Sequence, residues 1–313
     1  MGEIKDIHDR FFKKLFFKEE NVKDFLKQVL PADIVSEINF DKIKIEATEY
    51  IDKEYKKGLS DLVVKTKLTK KRDADIYILF EHKSYKDKKV MLQLLSYMLK
   101  MWKRDMNNKQ DLRVIIPLVF YHGRSKWNIP LCFKDNFNCD ESLKEYLLNF
   151  KYILFDTNDL EIGSEKEKKF RQNVNLLTGI VLMKNVYYNN YSNLEYIINL
   201  WAETGLIKER ELVIFFMKYI VETENIDAGK ISKLLKEKLK EEDVMPTIAQ
   251  RWLREGELLK QQEVIIKQLD KKFGLKEEEK EYIRGVTDRK KLDKVIEEIL
   301  FCESKEELLG YLK

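Results

Sequence analysis

Residues Asp75-Ile76-Tyr77-Ile78-Leu79-Phe80-Glu81-His82-Lys83 read as a strand that opens apolar and closes on three polar groups. Side chains alternate along a strand, so Glu81 and Lys83 share one face with Leu79, while Ile78, Phe80 and His82 take the other. Charges are seldom buried without a partner, because desolvation is costly. A carboxylate and an ammonium side by side at the end of an apolar strand are therefore a poor fit to a plain core. Upstream, Ser60-Asp61-Leu62-Val63-Val64-Lys65-Thr66-Lys67-Leu68 reads as a second strand, and the polar stretch 69–74 has the length of a turn. Two strands joined by a short polar loop form a hairpin. The pairing brings Asp61, at the start of the first strand, beside Glu81 and Lys83 at the end of the second. Two carboxylates and a lysine converging there make a hard-cation site. Mg²⁺ held by two carboxylates, with a lysine alongside, is suited to phosphodiester hydrolysis. A structural ion pair between Asp61 and Lys83 is the competing reading.

The chain of 313 residues is long enough for one large domain or two smaller ones. Its 59 Lys+Arg and 55 Asp+Glu nearly balance. The distribution is less even: residues 1–130 hold 28 Lys+Arg against 20 Asp+Glu, a net of +8, and the remainder carries −4. The basic portion coincides with the hairpin and suits a polyanionic substrate; an ordinary solvated surface is the alternative. Cys132, Cys139 and Cys302 are odd in number and fit no zinc spacing, which points to a reducing compartment. The apolar residues of 11–17 are interrupted by Lys13 and Lys14, unlike a signal peptide. The longest apolar run, 114–121, is far short of a membrane span. The expectation is a cytoplasmic protein with no membrane partner.

Taken in order, 7–30 reads as one or two helices, with Phe11, Phe12, Leu15 and Phe16 and then Val22, Phe25, Leu26 and Val29 at helical spacing. Pro31 ends this unit, and 32–38 reads as a short helix. Ile43, Ile45 and Ala47 alternate with polar residues as in a half-buried strand. Beyond the hairpin, Met91, Leu94, Leu95, Met98, Leu99 and Trp102 form one helical stripe, with Gln93 and Tyr97 stacked beside it one turn apart. Residues 112–121 are apolar enough for a strand covered on both faces; Pro117 requires an edge or a bulge there. The long crossover between the hairpin and this run permits a parallel pairing. The sum is an α/β fold: a mixed sheet with flanking helices, in the order αβββαβ. A further strand is expected at 150–155. From 165 the pattern is helical, with helices expected at 165–185, 194–204, 208–224, 228–242, 248–272, 276–284, 288–301 and 305–312. Pro246 reads as a break, and Gly274 as the stop of the long helix. These boundaries suggest domains at 1–160, 161–245 and 246–313. The 248–272 stripe reads as intramolecular packing or a homodimer seam.

Asp61, Glu81 and Lys83 match the D…(D/E)xK pattern, and with the order of elements they resemble the PD-(D/E)XK nuclease superfamily, whose core is also αβββαβ. Gln93 and Tyr97 match the QxxxY motif of its RecB-like members. A closer resemblance covers roughly residues 7–200. His8-Asp9-Arg10-Phe11-Phe12, Leu59-Ser60-Asp61-Leu62, Glu81-His82-Lys83-Ser84 and Ile116-Pro117-Leu118-Val119-Phe120-Tyr121-His122-Gly123 look like the recombination-promoting nuclease family of bacteria, the YhgA-like transposase-related proteins. Many members carry Gln where Lys83 stands, and the proline that precedes the first Asp in the superfamily is replaced by Ser60. The region 260–313 is similar to a small helical domain often appended to such proteins.

The resemblance implies a magnesium-dependent DNA endonuclease tied to recombination, with Mn²⁺ as an alternative ion. Asp61 and Glu81 would ligate the metal with the backbone carbonyl of His82. Lys83 would orient or activate the attacking water and stabilise charge on the phosphate. Gln93 would contact water or DNA, and Tyr97 would buttress it. Asp9 is either a third acidic ligand or an N-cap before the Phe11 helix. His8, His82 and His122 lack ligand spacing and read as structural. Glu81→Ala or Lys83→Ala is expected to abolish cleavage and leave the fold intact. The rival readings are an inactive DNA- or partner-binding protein on a nuclease scaffold, and a defence or toxin-like nuclease. No DDE transposase triad is evident.

Overall fold

The computed structural model describes residues 2–47, 62–69, 75–186, 191–223, 245–299 and 301–312. Asp61 and the helix expected at 228–242 lie outside the described residues. Two compact units are formed, Met1–Ile197 and Ile198–Lys313.

The first unit begins with helices α1 (Gly2–Phe16), α2 (Glu19–Val29) and α3 (Ala32–Glu37). There follow β1 (Ile38–Ala47), β2 (Leu62–Leu68), β3 (Asp75–Lys83), α4 (Val90–Asn107), β4 (Val114–Tyr121) and β5 (Ile153–Asp156). The five strands make one sheet in sequence order. β1, β2 and β3 run antiparallel, and β3, β4 and β5 run parallel. This is the mixed α/β sheet the pattern predicts. The hairpin needs only a short loop, while the parallel β3–β4 pair needs a crossover, which α4 supplies.

Some boundaries differ for local reasons. β1 starts at Ile38, earlier than the alternation at Ile43 suggests. A register shift between Asn39 and Lys44 changes its phase, so that Ile38 and Ile43 are both buried. Pro117 opposes Leu79 of β3, and β5 pairs with β4 only from Leu118 onward. One flank of Pro117 thus lies beyond the end of β5, where a residue without an N–H is tolerated. The strand expected from 150 begins at Ile153, because Lys151 bridges Cys132 instead.

Each face of the sheet has its own core. Phe12, Phe16, Phe25, Phe80, Phe120 and Phe155 are fully buried in one ring cluster. Phe16 meets Phe80 edge-on at 4.8 Å and Phe25 meets Phe155 edge-on at 5.0 Å. Burial of each ring contributes about 1.5–3 kcal/mol, and such ring pairs add about 0.5–1.5 kcal/mol. On the other face α4 lays Val90, Met91, Leu94, Met98 and Met101 against Val63, Val119 and Tyr121. Spacing alone puts Leu99 in the stripe, but it is 46% exposed and Met101 is buried instead. The buried set Leu94, Met98, Met101 and Asp105 follows steps of three and four residues.

Beyond a short helix α5 (Glu141–Lys144) come α6 (Glu165–Phe170), α7 (Val174–Asn185) and α8 (Tyr191–Thr204). The single helix expected at 165–185 is two, because Asn173 caps α7: its side chain accepts the Leu176 N–H at 3.0 Å.

In the second unit, α9 (Arg210–Thr223) presents Phe216, which stacks on Trp201 at 5.8 Å. A long helix, Met245–Phe273, follows. Pro246 lies inside its first turn rather than before it, where a missing N–H removes no helical hydrogen bond. Gly274, with φ +72°, ends the helix and donates its N–H to the Asp270 carbonyl at 3.0 Å. Ile265, Ile266 and Leu269 pack with Ile283, Leu292, Val295 and Leu308 from the helices that follow. This part of the long stripe is thus used within the chain. Among the described residues no helix is long and apolar enough to cross a membrane.

Candidate active site at the end of strand β3

β3 distributes its last three side chains to two sides. Glu81 and Lys83 point toward α4, and His82 points toward α1. Glu81 is 1% exposed and Lys83 is 6% exposed. Lys83 Nζ lies 2.9 Å from Glu81 Oε1. α4 adds Gln93, whose Nε2 donates to Glu81 Oε1 at 2.8 Å and whose Oε1 accepts from Lys83 Nζ at 2.6 Å. Gln93 Nε2 also lies 3.0 Å from the Tyr97 hydroxyl, a donation that fixes the amide orientation. Four of the residues singled out in the sequence thus form one hydrogen-bonded group. Gln93 and Tyr97 reach it because they are one helical turn apart on α4.

A fifth residue, Asp87, was not anticipated. Its Oδ2 lies 3.1 Å from Lys83 Nζ, and its Oδ1 accepts the Lys89 N–H at 2.9 Å in the turn before α4. The available signal was an acid three residues before a helix start, in a polar loop. Burial alone would push the Lys83 ammonium down; the Glu81 carboxylate and then Asp87 push it up to about 12. Lys83 is therefore a fixed cation at neutral pH. Burial raises the Asp87 carboxyl, but the Lys89 N–H and the Lys83 charge outweigh it and hold it below its usual range.

Glu81 Oε2 is buried and has no hydrogen-bond partner among the described residues. Leaving a buried carboxylate oxygen without a partner costs about 1–3 kcal/mol or more, so this atom calls for an electropositive ligand. An anionic hard oxygen fits a Mg²⁺ ion, which binds through one or two carboxylates and keeps several waters. Asp61 is outside the described residues; Leu62, the next residue in sequence, opposes Phe80 on β3. Among the described residues no group of three His, Cys, Asp or Glu side chains is arranged to hold a metal.

The opposite face carries the histidines. His82 Nδ1 lies 2.9 Å from Asp9 Oδ1, so the ring carries its proton on Nδ1 toward that carboxylate. Asp9 sits inside α1, not at its N-cap, because the helix begins well before it. Its partner His82 leaves β3 on the side away from Glu81. His82 stacks on Phe12 at 4.5 Å and on His122 at 4.7 Å, and His8 meets His122 edge-on at 5.0 Å. Burial is the main cause that lowers all three. His8 falls to about 4, with Asp9 opposing the shift. Three residues far apart in sequence thus form one buried ring cluster, which spacing alone did not reveal.

A second buried charge pair was also missed. Asp105 of α4 is held by the Arg113 guanidinium, and the Arg113 carbonyl accepts the Trp102 indole N–H at 2.9 Å. This pair fastens the end of α4 to the start of β4. Beyond the strand, Tyr121 folds back so that its hydroxyl donates to the Ser125 carbonyl at 2.7 Å. A Cβ on Gly123 would lie 2.2 Å from that hydroxyl oxygen.

Fold and site together define a mixed α/β protein with a buried acid–lysine centre at a strand end, braced by a Gln–Tyr pair from the crossover helix. The chain belongs to the family described as "Putative transposase, YhgA-like", whose model matches residues 6–213. It is similar to recombination-promoting nuclease RpnA of Escherichia coli K12, at 25% identity over 80% of this chain and 84% of that protein. It is also similar to recombination-promoting nuclease RpnD of Escherichia coli O157:H7, at 30% identity over 48% of this chain and 58% of that protein. An inactive recombination-promoting nuclease-like protein, RpnE of strain K12, is 30% identical over 48% of this chain and 50% of its own length. The chain therefore spans only about half the length of two of these relatives. No solved structure matches it.

Proposed function

We propose that this protein is a Mg²⁺-dependent DNA endonuclease with a PD-(D/E)XK core, acting in recombination. The observation that carries the reading is the buried Glu81–Lys83 pair, braced by the half-buried Gln93 and Tyr97, with one carboxylate oxygen left over. The succession of α1–α3, β1, β2, β3, α4 and β4 supports assignment to that superfamily, and the names of its relatives support a nuclease.

Glu81, Asp61 and the His82 carbonyl are the groups that would hold the ion. When bound, Mg²⁺ supplies a Lewis acid for the phosphate oxygen and lowers the pKa of the attacking water. The part of Lys83 is electrostatic: as an ammonium it would offset the charge that builds on the phosphate and orient the water by donating to it. Gln93 holds Glu81 and Lys83 in register, and Tyr97 fixes the Gln93 amide. The basic excess of residues 1–130 favours approach of a polyanion.

An inactive scaffold is the second reading, favoured by the relatives named inactive. Supercoiled plasmid incubated with the protein, with Mg²⁺ and with Mg²⁺ plus EDTA, decides between them. Nicked or linear product that requires Mg²⁺ supports the nuclease. No product, or product indifferent to EDTA, refutes it.

A further inference from the structure

Lys83 Nζ donates hydrogen bonds to Asp87 Oδ2 at 3.1 Å and Gln93 Oε1 at 2.6 Å, and it forms an ion pair with Glu81 Oε1 at 2.9 Å. An ammonium has three N–H donors, so two are committed to Asp87 and Gln93 while Glu81 holds the group by charge. Glu81 is the partner with a competing demand, because it is also the carboxylate that would face a divalent cation. A dication on Glu81 repels the neighbouring ammonium, and Gln93 offers Lys83 no negative charge in return. Asp87 does. It is also rigidly placed: its Oδ1 accepts the Lys89 N–H, and its carbonyl accepts the Val90 N–H at 3.0 Å.

We propose that Asp87 is a positioning residue that holds Lys83 at the reaction centre when Glu81 is committed to the metal, leaving one Lys83 N–H for substrate. The inference rests on the nuclease reading for its catalytic consequence, but the placement of Lys83 is testable without it. Asp87 acts through Lys83 and is not itself a metal ligand.

The test compares wild type with Asp87→Asn, which keeps an oxygen acceptor for the Lys89 N–H, and with Asp87→Glu, which keeps the charge. Steady-state cleavage of plasmid with Mg²⁺ is expected to show kcat lowered about 10- to 100-fold in Asp87→Asn, as for misplacement of a catalytic group by about 1 Å. KM for DNA is expected to change by less than about threefold, and Asp87→Glu is expected to recover part of kcat. Mg²⁺ affinity measured by calorimetry is expected to stay within about threefold of wild type. Independently of cleavage, NMR on [¹⁵N]lysine-labelled protein, with the Lys83 signal assigned from Lys83→Gln, follows the ammonium. With Mg²⁺ bound its signal persists in wild type and is lost in Asp87→Asn. Unchanged kcat or a retained Lys83 signal in Asp87→Asn overturns the proposal, and so does loss of Mg²⁺ binding, which would make Asp87 a ligand. A wild type that cleaves nothing defeats the nuclease reading, and the lysine signal with Mg²⁺ then decides the placement of Lys83 alone.

Discussion

Lys83 Nζ lies 2.9 Å from Glu81 Oε1, and both groups are almost wholly withdrawn from solvent. Removing one partner of a buried pair leaves the other charge uncompensated. Lys83→Ala is therefore expected to lower stability by about 3–5 kcal/mol. The double variant Glu81→Gln with Lys83→Gln is expected to lose less than Lys83→Ala alone, because the buried Glu81 carboxylate is no longer left as an orphan charge. Urea unfolding of the three proteins measures this. A Lys83→Ala variant as stable as wild type would contradict it.

Glu81 Oε2 has no hydrogen-bond partner among the described residues, so a cation bound there is expected to stabilise the fold. With Mg²⁺ at a hundred times its Kd, stabilisation of about 2.7 kcal/mol is expected. The rise in melting temperature is expected to disappear in Glu81→Gln, which replaces the anionic oxygen by an amide. An equal Mg²⁺ shift in both proteins would locate the ion elsewhere.

The histidine cluster predicts acid sensitivity with a defined sign. Burial first, then the His82 charge, lower His8 to about 4 from an ordinary value of 6.5, against the pull of Asp9. Below pH 6.5 the unfolded chain takes up a proton that the folded chain refuses, so stability falls with pH and the loss is complete once pH passes 4. The His8 contribution across this window is of order 3 kcal/mol. His82 and His122 are lowered as well and act in the same direction. Urea midpoints between pH 7 and pH 5 are expected to drop more steeply in wild type than in His8→Phe. Parallel slopes would show that His8 titrates normally in the fold.

Asp105 is 1% exposed and is held by Arg113. Arg113→Ala is expected to destabilise by about 3–5 kcal/mol, whereas Asp105→Asn with Arg113→Met is expected to be milder. Equilibrium unfolding distinguishes the two. Equal losses would mean that packing around Arg113, not charge, sets the cost.

Much of this was legible in the sequence because periodicity reports the faces of single elements. Two-residue alternation separated Glu81 and Lys83 from His82, and four-residue spacing aligned Gln93 with Tyr97. The hairpin and the parallel crossover followed from loop lengths. Convergence between elements was less legible. Asp9, His8, His82 and His122 meet only because α1 lies across the ends of β3 and β4, which no spacing encodes. Asp87 was hidden in a polar loop, where an acid is the default. Asp105 and Arg113 carry no local mark of a pair that bridges a helix end and a strand start. The break of the 165–185 helix was readable in principle, as Asn173 is a good cap.

The most direct test of the central claim is cleavage of supercoiled plasmid by wild type and Glu81→Gln side by side, with Mg²⁺ and with EDTA. The account predicts nicked or linear DNA from wild type with Mg²⁺ only, and a loss of at least about 100-fold in Glu81→Gln. Cleavage by Glu81→Gln at the wild-type rate, or wild-type cleavage that survives EDTA, would contradict it.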